Sequence, residues 1–143
     1  MSGWGGRQCP FTPPILISHW PPVSRYQAVH IQDGEHCSVR RVTAESSSSY
    51  SVVHIREGQG HEVTDSTLVG GAAARAVWLY ATIGSMVHSN TMTGTTTAVV
   101  EVDEETEASA VWYNEISGGD SKGILLSDTA SYNFVFGNSV SSC

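Results

Sequence analysis

Tyr26-Gln27-Ala28-Val29-His30-Ile31-Gln32-Asp33-Gly34 is followed 24 residues later by Tyr50-Ser51-Val52-Val53-His54-Ile55-Arg56-Glu57-Gly58. Val39 and Thr43 then match Val63 and Thr67 at the same offset. A third copy places Val77-Trp78-Leu79 on Val53-His54-Ile55 and keeps only the apolar pattern. In each copy apolar and polar residues alternate, the period of a strand with one buried face. Asp33-Gly34 and Glu57-Gly58 sit where a hairpin turn belongs, since type I′ turns need positive φ at both central residues. Two good copies read as duplicated hairpins within one domain, because a solenoid needs at least three stacking units.

Outward from this pair the chain reads as strand after strand. Runs rich in β-branched and aromatic residues fall at 26–32, 35–42, 49–56, 61–68, 75–83, 95–102, 109–116, 123–127 and 131–136, separated by Gly, Ser, Asn and Asp. Helical periodicity is nearly absent. The expected fold is all-β: a small antiparallel sandwich or jelly-roll-like domain at 25–143. Residues 1–24 precede it as an extended N-terminal arm, because all five prolines lie there and proline bars both helix and central strand. The arm also carries Trp4, Phe11, Ile15, Ile17 and Trp20, more apolar surface than a solvated tail tolerates. These five are the expected partner-binding anchors, seated on a neighbouring subunit.

The 143 residues suffice for one domain with its own core. The net charge is −7, and Lys122 is the only lysine, which argues against a nucleic-acid partner because phosphate binding draws on Lys and Arg. No apolar run approaches the length of a membrane span, and no basic region with an apolar stretch opens the chain, so synthesis in the cytoplasm without a signal peptide is expected. Cys9, Cys37 and Cys143 cannot all pair within one chain and match no CxxC spacing.

The chemistry-bearing residues are sparse. The repeat sets His30 and His54 in equivalent positions, with His36, Cys37 and His61 just past the turns, donors suited to zinc or copper. His30 lies between Val29 and Ile31, however, and reads as the polar side of a half-buried strand. No metal or other cofactor is therefore expected. The acidic run Asp103-Glu104-Glu105 lacks the spacing of a calcium loop, and no GxSxG elbow, SxxK, GxGxxG, P-loop or HExxH is present, so no catalytic residues are assigned and no enzyme is expected. Trp78, Tyr80, Trp112 and Tyr113 have apolar neighbours and read as core, as do Tyr132, Phe134 and Phe136.

An apolar arm on a compact β-domain with a hydroxyl-rich surface suggests a structural assembly protein. By analogy of fold, the expectation is a virion accessory, such as a capsid decoration, cement or head-attached protein, located in a virion or other extracellular assembly. It would bind neighbouring subunits and form a closed homo-oligomer such as a trimer, without nucleic acid or membrane. A carbohydrate- or receptor-binding β-module is the alternative, and a histidine-metal enzyme the third.

Overall fold

A computed structural model describes residues 7–8, 29–46, 51–71, 75–94, 98–118 and 122–143. Every strand pairing in it is parallel, and strands pair with their counterparts one coil along. The first sheet holds Val29–Gln32, Ser51–Arg56, Arg75–Tyr80, Val100–Asp103 and Ile124–Leu126. Ser38–Arg40, Glu62–Thr64, Met86–His88, Ala110–Trp112 and Phe134–Phe136 make the second. Thr43–Ser46, Thr67–Gly70, Thr91–Thr93, Glu115–Ser117 and Ser139–Ser141 make the third. The chain therefore winds as a three-sided parallel β-solenoid. This corrects the expected antiparallel sandwich or jelly roll.

The repeat alignment itself holds, since Val29, His30 and Ile31 pair with Val53, His54 and Ile55, and these in turn with Val77, Trp78 and Leu79. What changes is its meaning: the copies are stacked coils rather than hairpins. A coil of parallel strands alternates in and out with the same period of two as a hairpin strand, so patterning alone does not separate them.

The corners explain the winding. At the first corner Asp33, Glu57, Ala81 and Glu105 all adopt positive φ; at the second His36, Gly60, Gly84, Ala108 and Tyr132 do so; at the third Arg41, Asp65, Ser89, Tyr113 and Gly137. A left-handed residue at each corner turns the chain without reversing it, and Gly58 beside Glu57 is left-handed as well. Such a residue costs roughly 1–2 kcal/mol when it is not glycine, and the pairing of neighbouring coils offsets that strain. Gly58 is glycine for a further reason: a Cβ there would meet the Gly34 carbonyl oxygen at 2.1 Å. Of the glycines of the expected hairpin turns, Gly58 serves close stacking of coils, whereas a Cβ on Gly34 would meet Cys37 Sγ of its own coil at 2.7 Å.

After the third corners at Asp65, Ser89, Tyr113 and Gly137 the chain points a polar side chain inward. The Ser66 N–H donates to Asn90 Oδ1, the Asn90 N–H to Asn114 Oδ1 and the Asn114 N–H to Asn138 Oδ1, each at 3.0 Å. Their amide groups donate in turn to the carbonyls of Val63, Val87 and Val111 at 2.9–3.0 Å. This ladder meets the donors that a bend leaves without a strand partner. The second corner does the same with mixed residues, Ser85 N–H to Ser109 Oγ at 3.0 Å and Ser109 N–H to Asn133 Oδ1 at 2.9 Å.

The core between the sheets is aliphatic: Val29, Ile31, Val53, Ile55, Val77, Leu79, Val100 and Val102 from the first sheet meet Val39, Val63, Val87 and Val111 from the second and Ala44, Leu68, Met92 and Ile116 from the third. The aromatic residues assigned to the core lie outside it. Trp78, Tyr80 and Trp112 are half-buried on outer faces, and Tyr113, Tyr132, Phe134 and Phe136 are exposed. The narrow tube is filled by one layer of aliphatic side chains, and these aromatic rings stand on its outside.

Of the leader, Arg7–Gln8 is described, and it pairs in parallel with Gly34–Glu35 of the same chain. Trp4, Phe11, Ile15, Ile17 and Trp20 lie outside the described residues. No helix among the described residues is long and apolar enough to cross a membrane.

Candidate functional site

The outer face of the first sheet gathers the side chains with the richest chemistry. Alternation sends Val29 and Ile31 inward and His30 outward, as the burial pattern of that strand shows. Because the coils stack in register, like positions become columns, and His30, His54, Trp78 and Glu101 form one. The imidazoles of His30 and His54 are parallel with centroids 4.9 Å apart, and His54 stacks on Trp78 at 4.4 Å. The Arg75 guanidinium lies 4.5 Å above the Trp78 ring and is ion-paired with Glu101. Trp78 Nε1 donates to Asp103 Oδ2 at 3.2 Å.

A parallel column of Arg56 and Tyr80 flanks this one. Arg56 lies 5.5 Å over the Tyr80 ring, and the Tyr80 hydroxyl donates to Glu104 Oε2 at 2.6 Å. His54, Arg56, Trp78 and Tyr80 line an open groove of about 240 Å³ between the two columns. Exposed His30 stands at its N-terminal end, while His54 is held between His30 and Trp78 with 8% of its surface exposed.

Electrostatics keep both imidazoles neutral. Burial, then the neighbouring His30, Arg56 and Arg75, push the His54 pKa down to about 4. His30 is lowered by burial and by Arg56. At neutral pH both rings are therefore in the uncharged form that has a lone pair to offer a metal ion.

The other residues weighed as donors are not brought together with these. His61 is fully buried at the second corner, where its Nδ1 accepts from the Cys37 N–H at 3.4 Å and its Nε2 faces the Glu57 carbonyl at 3.3 Å. Both ring nitrogens are engaged, and burial lowers its pKa; His61 is a ladder residue. Cys37 is buried beside it, and His36 is exposed at the corner with its ring against Gly60. Among the described residues no group of three or more His, Cys, Asp and Glu is placed to hold a metal ion. The stacked pair of His30 and His54 is the arrangement with suitable donor chemistry. Sequence reasoning saw that pair but missed Trp78, Tyr80 and Arg56 beside it; the signal was the third repeat copy, which already laid Trp78 on His54.

No curated protein and no solved structure matches the chain. Residues 15–143 match the protein family described as NosD, periplasmic copper-binding protein. This overturns the expectations of a virion accessory, of a capsid-decorating role and of location in a virion or other extracellular assembly, because the family is described as periplasmic and the fold is a solenoid instead of a clasping sandwich. A match over most of its length places this chain in the NosD family of periplasmic copper-binding proteins.

Proposed function

We propose that this chain is a periplasmic copper-binding β-solenoid that takes up copper as cargo through the imidazoles of His30 and His54. The observation that carries the reading is the pair of neutral imidazoles on adjacent coils, inside the segment that matches the copper-binding family. His54 is the fixed donor, clamped by Trp78, and exposed His30 is the adjustable one, free to turn its ring edge toward a bound ion. Two imidazoles suit a low-coordinate copper ion and leave the rest of its shell to exchangeable ligands, which fits transfer better than permanent storage.

Titration with Cu(I) under reductant, and separately with Cu(II), tests the proposal. One equivalent of copper quenches tryptophan fluorescence, and Trp78→Phe removes most of that quenching because Trp78 is the indole stacked on the site. His30→Ala lowers affinity by about tenfold or more, in line with the usual worth of groups supporting a metal site. Unchanged affinity in the His30→Ala/His54→Gln double variant would place copper elsewhere, and absence of binding in the folded wild-type chain would remove the reading.

A further inference from the structure

The outer face of the second sheet carries a hydrogen-bonded line that copper binding does not use. Glu62 and His88 stand on successive coils, with Glu62 Oε1 2.8 Å from His88 Nε2. The other carboxylate oxygen, Oε2, accepts from the Arg40 guanidinium at 2.6 Å, and Arg40 Nε donates to Ser38 Oγ at 2.8 Å. Burial alone would raise the Glu62 pKa, but the hydrogen bonds from His88 and Arg40 outweigh it and hold the carboxyl below its ordinary range. An ionised carboxylate opposite Nε2 selects the tautomer protonated there and leaves Nδ1 as an acceptor. Two hydroxyls reach that nitrogen, Ser89 Oγ at 3.1 Å and Thr64 Oγ1 at 3.4 Å. The ring is held flat against Trp112, with centroids 4.3 Å apart. Ser89 is exposed on a left-handed corner with φ of 57°, while Thr64 is buried.

We propose that Ser89, His88 and Glu62 act as nucleophile, general base and orienting carboxylate in cleaving carboxylic esters with an apolar or aromatic acyl group. A hydroxyl against a base that a third group orients is the arrangement that activates serine. The acyl class follows from the adjoining surface. Trp112 stacks on His88 one coil along, Phe136 stacks on the far face of Trp112, and Tyr113, 64% exposed, stands edge-on to Phe136, so an aromatic surface runs along the coil axis from the imidazole. In the first step Ser89 Oγ bonds to the ester carbonyl carbon and its proton passes to His88 Nδ1, while Nε2–H stays on Glu62. The bond to the leaving alkoxide then breaks, and His88 returns the proton to it. Water attacks the acyl-Ser89 ester with His88 again taking a proton, and the carboxylic acid leaves as the serine hydroxyl is restored. This activity is independent of copper binding, since it shares no residue with the first-sheet column.

Incubation of the purified chain with a fluorophosphonate probe, and separately with p-nitrophenyl butyrate, tests the proposal. The expected result is one adduct on the peptide holding Ser89 and release of p-nitrophenolate. Both are lost in Ser89→Gly, which keeps the left-handed corner without strain. His88→Gln lowers the rate by about 10²–10⁴-fold, and Glu62→Gln by less, with a shifted pH profile. An unlabelled wild-type chain that is folded by circular dichroism, or an adduct that survives Ser89→Gly, overturns the proposal.

Discussion

The inner and outer columns of the first sheet are built on the same strands, yet they differ in every physical respect. Val53, Ile55, Val77 and Leu79 face inward and are fully buried in an aliphatic tube. One residue along, His30, His54 and Trp78 face outward and touch mainly one another. The inner column answers to shape alone, because a close-packed interior punishes any change of volume. Among the described residues no sheet packs over the outer column, so its positions answer less to volume and can carry lone pairs, charges and rings. In a solenoid this division recurs at every coil, and chemistry concentrates wherever outward positions of neighbouring coils stack.

Substitutions that cross the division test it. The largest effect is expected at the inward corner, where Asn114→Ala removes the acceptor of the Asn90 N–H and the donor to the Val87 carbonyl. Buried groups left unpaired cost about 1–3 kcal/mol each, so denaturant unfolding should show a loss of roughly 3–5 kcal/mol. Asn114→Ser should lose less, because Ser66 does the same work in the same row, its Oγ accepting from the Val42 N–H at 3.2 Å. A loss below about 1 kcal/mol for Asn114→Ala would show that the corner ladder is dispensable.

A middle-sized effect is expected from pH. His54 has a folded pKa of about 4 against an ordinary 6.5. A lowered value means that the unfolded chain binds the proton more readily, so stability is full above pH 6.5 and declines as pH falls toward 4. Thermal melts across that window should show a decline on the order of 2 kcal/mol, which His54→Gln flattens. The smallest effect on stability belongs to His30→Ala, expected within about 0.5 kcal/mol because the residue is exposed on an outer face, even as copper affinity falls. A large loss of stability there would erase the distinction between the columns.

Much of this was legible in the residues. The β class, the in-and-out order of residues 29–31 and the alignment of residues 29–31, 53–55 and 77–79 all came from periodicity and offset, and the structure keeps them. The repeat faded after the third copy for a traceable reason. Val77 pairs with Val100, a step of 23 residues where the preceding steps are 24. At an unbroken offset Trp78 would fall on Val102, and the in-and-out parity is reversed, so the coil vanishes from view. The register returns past the Glu104-Glu105 corner, where Thr82 N–H meets Thr106 Oγ1. The corners were equally hard to read, since Arg41, Asp65 and Ser89 hold positive φ without glycine.

The candidate site was half visible. His30 and His54 were paired by the repeat, but nothing local says whether equivalent residues of two copies sit back to back across a sandwich or ring upon ring along a solenoid. The line of Glu62, His88 and Ser89 was invisible, because its carboxylate and imidazole lie 26 residues apart.

Composition and alternation determined that this chain is made of short strands with one aliphatic face, because burying that face is the dominant free-energy gain and its period is local. Whether those strands pair as hairpins or stack as coils was decided only in three dimensions. That choice rests on one backbone conformation per corner and on hydrogen bonds between residues a full coil apart, and neither leaves a mark on the hydrophobic pattern.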